Sequence, residues 1–442
     1  MDSGKSKGLS KTVKRTVLAS FLGSTFEWYD FVLYTTVAAL VFDQVFFPTE
    51  NAAVGTLSAL VTVAIGYITR PLGALIFGHF GDKVGRKSLL VITMLIMGLP
   101  TLIIGLLPGY DTIGIAAPIL LLICRLLQGI GLGGEYAGAA LATIESVPEE
   151  ERGFYGSIPQ LGNPVGGSLG TLFVLFFTTI WGDEAFAAWM WRIPFLLSAL
   201  LLGYALVVRL HMAETGDFAE LVKEDKIVKS PIKEVVVHHW KPLLLGLGAR
   251  CSDAISGNVA GTVVIAYVAT YLHMQNFIGL LATFIPTLIA IPLMLVVGKV
   301  SDHVGRKKMF VVGMILVAAS MIPMFAMLNT KIVFVMVLGV ILMRTCNMIP
   351  FAVQSAVLSD IFPPEVRYTG VSLVYQVTAI VGGLTPSACV AVLIAAHGNA
   401  YILGIVLTVT CALSALCGAA LKKAAPTVPE VGLDGEASLE TA

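Results

Sequence analysis

The chain has 442 residues, 57% hydrophobic and only 13% charged, with 28 basic residues matching 28 acidic ones. Such a composition excludes a soluble globular protein and leaves no basic excess for nucleic acid. A hydrocarbon core about 30 Å thick needs roughly 20 apolar residues per crossing, so there is room for around twelve helices; the runs are continuous and do not alternate, which favours helices over a barrel.

In chain order, residues 1–15 form a tail too polar for a cleaved signal peptide, so the first span is expected to stay in the mature chain. Spans are predicted near 16–42, 54–80, 88–107, 113–144, 153–180 and 189–210, a six-helix bundle over 16–210. Residues 211–240, with Glu214, Asp217, Glu220, Lys223 and Lys229, read as an inter-bundle linker, either short amphipathic helices on the membrane surface or a solvated connector. Further spans near 241–272, 277–300, 308–328, 332–360, 367–395 and 399–421 make a second bundle over 241–421, and the Pro- and Glu-rich tail 422–442 lacks the apolar content to fold. The six cysteines, Cys124, Cys251, Cys346, Cys389, Cys411 and Cys417, form no CxxC pair and fall in apolar runs, which reads as small core residues and no metal site.

With both ends on the inside, the cytoplasmic segments hold 22 of the 28 lysines and arginines, Arg209 among them, and the outer segments only Arg192 and Lys331. The positive-inside rule then places both termini in the cytoplasm, with an even number of spans. The remaining four arginines, Arg70, Arg125, Arg250 and Arg344, lie inside spans with four acids, Glu27, Asp30, Glu135 and Asp253. Each central charge costs about 2.5–3.5 kcal/mol on insertion scales, so these groups either neutralise one another as structural pairs or line a wet passage. At 1.5 Å per residue, Glu27, Arg70, Glu135 and Arg250 all lie about 15–16 Å deep, Arg344 about 18 Å, and Arg125 within a turn or two of Asp30.

The phrase Gly78-His-Phe-Gly-Asp-Lys-Val-Gly-Arg-Lys87 returns 220 positions later as Gly298-Lys-Val-Ser-Asp-His-Val-Gly-Arg-Lys307. Gly85 and Gly305 permit a tight turn between antiparallel helices, the flanking cations suit an anionic membrane surface, and Asp82 or Asp302 can pair with a basic group or a helix end. Gly129-x-Gly131-x-Gly133-Gly134 imitates a nucleotide fingerprint, but it sits in an apolar helix with no strand before it and reads as close helix packing, as do Gly162, Gly166 and Gly170. HExxH, a nucleophile elbow and a P-loop are all missing, so no enzyme or ATP-driven pump is indicated.

The repeated loop, the run Arg125-Leu-Leu-Gln-Gly-Ile-Gly-Leu-Gly-Gly-Glu135, the opening Phe26-Glu-Trp-Tyr-Asp-Phe31 with Tyr34, and Phe362-Pro-Pro-Glu-Val-Arg-Tyr-Thr-Gly370 together resemble the major facilitator superfamily, and within it the metabolite:proton symporters. The resemblance spans Arg15 to Lys423. It implies an all-α membrane protein of twelve helices in two pseudo-symmetric six-helix bundles, with one central cavity and alternating access. It further implies proton-coupled uptake of a small carboxylate or zwitterion, with no cofactor. The chain is read as a monomer in a bacterial inner membrane, its partners being solute, protons and lipid.

By the same resemblance the loops latch the cytoplasmic side. The latch residues are Asp82, Gly85, Arg86, Asp302, Gly305 and Arg306, completed by Glu145 with Arg152 and Asp360 with Arg367. Asp30 with Arg125 as partner is favoured for proton coupling, with Glu27 and Glu135 as rivals. A guanidinium binds carboxylate bidentately, so Arg70, Arg250 and Arg344 are assigned to substrate charge. Tyr34, Gln160, Asn163, Asn347, Tyr375 and Gln376 can add hydrogen bonds, although any of the amides is as apt to join two helices. Asp253, three residues from Arg250, favours a zwitterion if it neutralises that arginine. Asn163-Pro-Val-Gly-Gly167 partly resembles an antiporter motif and keeps proton-driven export as a further reading.

Overall fold

The computed structural model describes residues 10–48, 52–224 and 227–424; the rest of both tails, residues 49–51, and Asp225 and Lys226 of the linker lie outside them. Helix α1 (Lys11–Val37) starts at Ser10, whose hydroxyl accepts from the Val13 amide at 3.2 Å, and a wide turn at Ala38–Phe42 carries it on to Val45. It is followed by α2 (Ala52–Val84), α3 (Arg86–Leu106), α4 (Ala116–Ile144), α5 (Arg152–Gln160 continuing as Gly162–Ala185) and α6 (Arg192–Leu210). The linker contains two short helices, α7 (Gly216–Lys223) and α8 (Pro231–His238). The second half comprises α9 (Trp240–Asn258, prolonged through Val259–Val263 to Thr270), α10 (Asn276–Val304), α11 (Arg306–Asn329), α12 (Val333–Asp360), α13 (Arg367–Ala395) and α14 (Ala400–Ala420).

Among the described residues, eleven helices are long and apolar enough to cross a membrane. Helix α1 has the length but carries Glu27 and Asp30. The surface around the barrel of helices is apolar: Ile68, Leu106, Leu200, Phe334 and Leu416 are each 66–73% exposed. Such a continuous apolar girdle requires lipid against it.

The halves repeat one packing scheme. In the first, α1 lies on α5, α2 on α4, and α3 on α4 and α6; in the second, α9 lies on α13, α10 on α12, and α11 on α12 and α14. They meet through two equivalent seams, α2 against α13 and α10 against the first segment of α5. Gly85 (φ 101°) and Gly305 (φ 105°) each turn the chain in a single left-handed residue between α2 and α3 or α10 and α11. The α4 glycines serve close approach: a Cβ on Gly133 would stand 2.5 Å from the Ala74 amide nitrogen. Similarly, one on Gly170 would stand 3.0 Å from the Tyr29 carbonyl of α1.

Replacing Gly133 by valine forces α2 off α4 and is expected to cost about 1–3 kcal/mol, seen as a lower melting temperature in detergent. Gly203→Val, at a site with nothing within 4 Å, is expected to leave melting unchanged. Equal behaviour of the two variants would contradict this packing.

Candidate functional site

In the first half the titratable groups form two separate clusters. Asp30 accepts from Thr101 Oγ1 at 2.6 Å and from Gln128 Nε2 at 2.9 and 3.1 Å. Arg125 donates to Gln128 Oε1 at 3.3 Å and lies 4.0 Å above the ring of Tyr34, whose hydroxyl bonds Thr62 at 2.6 Å. The expected contact of Asp30 with Arg125 is therefore relayed, because Gln128, one turn along α4 from Arg125, stands between them.

Glu135, expected among the proton carriers, is held in an ion pair within the first half. Arg209 grips it with two nitrogens, Nη1 at 2.9 Å from Oε2 and Nη2 on Oε1, and Thr93 donates to Oε2 at 3.0 Å. The pair is fully buried. Arg209, grouped above with the cytoplasmic cations, reaches it because Gly23 of α1 has no side chain and leaves a slot that the guanidinium fills.

A different set faces the seam between the halves. Glu27 is buried with Oε1 lacking any hydrogen-bond partner, within electrostatic reach of Arg70 in its own half and Arg250 in the other. Arg70 lies over the rings of Phe31 and Tyr67 at 5.2 and 5.0 Å, its Nε unpartnered. Arg250 lies 3.6 Å above Tyr375 and donates to Thr378 Oγ1 at 2.5 Å, and its Nη2 is 3.9 Å from Asp253. The Tyr375 ring stacks on Tyr136 of α4 with centroids 3.3 Å apart. Asn347 donates to Asp253 at 3.2 Å and to Ser256 at 2.6 Å and accepts from Arg344 at 3.4 Å. Asn163 is half-buried on α5. The amides of Gln160 and Gln376 join the halves, donating to Phe351 O at 3.1 Å and Leu132 O at 2.9 Å.

Toward the end that carries the two Gly-Arg-Lys loops, the basic face, the seam is sealed. Asp82 accepts from the first amides of α13, Tyr368 at 3.1 Å and Thr369 at 3.0 Å, and from the Thr369 hydroxyl at 2.8 Å. Asp302 accepts in the same way from the first turn of α5, Gly153 at 2.7 Å and Phe154 at 2.9 Å. A carboxylate on a helix N-terminus satisfies otherwise orphaned N–H groups and the positive end of the dipole. Glu145 binds Arg86 and, across the seam, Arg367, each at 3.3 Å. Asp217 and Glu214 of the linker add a 2.7 Å pair to Arg367 and a 2.8 Å cap on the Arg86 amide.

The expected pairs Glu145 with Arg152 and Asp360 with Arg367 do not form. Glu145 is occupied by Arg86 and Arg367, and Asp360 is 3.7 Å from Arg306. Arg306 bonds the Glu149 carbonyl at 2.9 Å, while the buried Nε of Arg152 has no partner. The second seam is instead crossed by Glu149, whose carboxylate lies 3.6 Å from Arg306 and 2.6 Å from Lys423. Burial alone would push the Glu145 carboxyl up, but Arg86 and Arg367 hold it below the ordinary glutamate range.

Sequence reasoning missed Arg209, Gln128, Thr101 and the linker acids as partners. Gln128 carried a signal, lying three residues from Arg125 on the same face of α4. Thr101 carried none.

Among the described residues, twelve long helices surround buried charges at a sealed seam. Residues 16–421 match the family model described as sugar (and other) transporter. The shikimate transporter of Escherichia coli K12 is 35% identical over 417 residues, covering 92% of this chain and 94% of that protein. The glycine betaine/proline/ectoine/pipecolic acid transporter OusA of Dickeya dadantii is 34% identical over 425 residues, covering 93% and 84%. The solved structure of the proton:xylose symporter XylE superposes with a TM-score of 0.73 at 16% identity, covering 92% of this chain and 94% of that one. The chain belongs to the sugar (and other) transporter family of the major facilitator superfamily: it is a multi-pass membrane transporter and not an enzyme.

Two outcomes follow from this geometry. Glu135→Gln strands the buried Arg209 charge and is expected to cost about 3–5 kcal/mol of stability. The double variant Glu135→Leu, Arg209→Leu is expected to recover most of the lost melting temperature and to keep transport, whereas a double variant that folds but carries nothing would make the pair functional. For the seal, Glu145→Gln is expected to raise labelling of a single cysteine introduced on the basic-side half of the α2–α13 seam. Because the Glu145 carboxyl is depressed in the closed form, its contribution is fully present above the ordinary glutamate pKa and is lost as pH falls through the lower closed-state value. Labelling of that cysteine in the chain that keeps Glu145 should therefore rise only in acid, and a rise near neutral pH would contradict the assignment.

Proposed function

We propose that the chain is a secondary active transporter that takes up a small organic acid with protons by alternating access, in a bacterial plasma membrane with both termini cytoplasmic. The observation that carries this reading is the unpartnered oxygen of Glu27 between Arg70 and Arg250, groups from opposite halves. A purely structural site gains little from a buried acid without donors facing arginines of both halves, since apolar residues pack as well at lower cost. A carrier uses both: the acid takes a proton, and the arginines bind a carboxylate.

In this scheme Arg70, Arg250 and Arg344 hold the substrate's charge, with Asn347, Tyr375, Tyr34 and Asn163 supplying polar contacts. Glu27 carries the proton, and Asp30 with Gln128 and Arg125 forms a second relay inside the first half. Gln160 and Gln376 act with the seam, bonding across it in the closed state and freeing their amides when it opens. The positive-inside rule supports a cytoplasmic basic face, so the seal at Asp82, Glu145 and Asp302 makes this the cytoplasm-closed state. A pH gradient supplies about 1.4 kcal/mol per unit per proton. Shikimate, carried by one relative as its name states, fits the organic-acid reading. A zwitterion is the second reading, favoured by Asp253 lying 3.9 Å from Arg250, which offers both signs of charge, and by the betaine and proline in the other relative's name.

Reconstituted protein under an inward proton gradient is expected to accumulate shikimate or a related small carboxylate, and protonophore should abolish this. Glu27→Gln should lose pH-driven accumulation by tenfold or more yet keep counterflow exchange, and Arg250→Ala should lose both. Glycine betaine accumulating while no acid does would favour the second reading. Outward pumping would establish export, and no flux under any gradient would end the reading.

A further inference from the structure

The two halves carry the same three-part relay. In the first, Arg125 donates to Gln128 at 3.3 Å and Gln128 donates to Asp30 at 2.9 Å. In the second, Arg344 donates to Asn347 at 3.4 Å and Asn347 donates to Asp253 at 3.2 Å. The positions correspond in the repeat: 344 − 125 and 347 − 128 both give 219, and 253 − 30 gives 223. In each case the arginine and amide are one turn apart on the fourth long helix of the half, and the aspartate sits on the first.

The relays differ in how fully the carboxylate is answered. Asp30 receives Gln128 on both oxygens and Thr101 besides. Asp253 receives Asn347 on Oδ1, while Oδ2 faces Arg250 at 3.9 Å, beyond hydrogen-bond range. The charged and titratable groups around Asp253 are Arg250 on its own helix, Arg344 on α12, Tyr375 on α13 and Tyr136 on α4. On the neighbouring α14, Cys411 and Cys417 face Cys251.

We propose that Asp253 is a further proton-binding carboxyl of this carrier, in addition to Glu27 and as the second-half counterpart of Asp30, taking its proton on the oxygen that faces Arg250. Ionised, Asp253 neutralises part of the charge of Arg250 and Arg344. Protonated, it leaves both guanidinium groups to the substrate's carboxylate, so proton and anion bind with positive coupling, each raising the other's affinity. The inference rests on the reading of the chain as a proton-coupled carrier and adds a coupling site in the half to which the substrate arginines Arg250 and Arg344 belong.

The test is infrared difference spectroscopy of the full chain in liposomes during a pH titration, following the carboxylic C=O stretch. The unmodified chain is expected to show a titrating component that Asp253→Asn lacks and that is distinct from the one lost in Asp30→Asn. Asn347→Leu should keep the Asp253 component but shift its midpoint. Should the asparagine variant fail to fold, Asp253→Glu is expected to move the component instead of deleting it. A spectrum unchanged by Asp253→Asn at every pH at which the helices persist, or unmoved by Asp253→Glu, would make Asp253 a permanent counter-ion and overturn the proposal. No substrate is needed, so the result stands apart from the uptake assay: absent uptake with the Asp253 component present would fault the carrier reading alone.

Discussion

A charge inside a hydrocarbon slab must be answered by a partner or by water, and the way each charge is answered sorts this structure into parts. Glu135 and Arg209 answer each other within one half and fix how α1, α4 and α6 pack. Asp82, Asp302 and Glu145 are answered across the seam by helix amides or by Arg367, so they hold only while the halves are closed. Glu27, Arg70 and Arg250, like Arg125 and the Nε of Arg209, keep buried atoms with no hydrogen-bond partner among the described residues. In the proposed function these arrangements serve as scaffold, gate and site.

In the proposed cycle the seal is reversible because its partners are replaceable: water and headgroups would take over the carboxylates and the α5 and α13 amides, so only the net difference would separate the states. Two buried amides limit that difference. Gln354 has neither end of its amide bonded, and Gln376 leaves its oxygen unmatched, although both are fully buried in the closed seam. An unsatisfied buried group costs about 1–3 kcal/mol, so these amides weigh against the closed seam. The two seams are also crossed by unlike pairs: Arg367 reaches the buried Glu145 in one, while Arg306 and Lys423 reach the exposed Glu149 in the other.

Much of this was legible before any coordinates. Continuous apolar runs announced the spans, and the repeated loop with Gly85 and Gly305 announced two equivalent halves. Depth arithmetic placed Glu27, Glu135 and Arg70 at one level, and there its power stopped, because depth says nothing about azimuth. Glu135 turns toward α6 and Glu27 toward the seam, a difference set by how each helix rotates against its neighbours. Arg209 looked like a loop cation because it lies in the last turn of α6, and only the slot at Gly23 draws it inward. Gln128 could have been found from its spacing to Arg125. The choice of Arg367 over Arg152 as partner for Glu145 depends on which helix ends meet across the seam, information that no single segment holds.

The central claim is that the groups between the halves meet water from alternating sides. It is tested most directly with a single cysteine at position 354 in a chain otherwise free of cysteine, probed by a membrane-impermeant thiol reagent. Gln354 lies two helical turns from Asn347 on the same face of α12, toward the sealed basic face. The account predicts no labelling from the basic side in the closed state and rapid labelling from that side during turnover. A thiol there that stays inaccessible throughout active transport would contradict it.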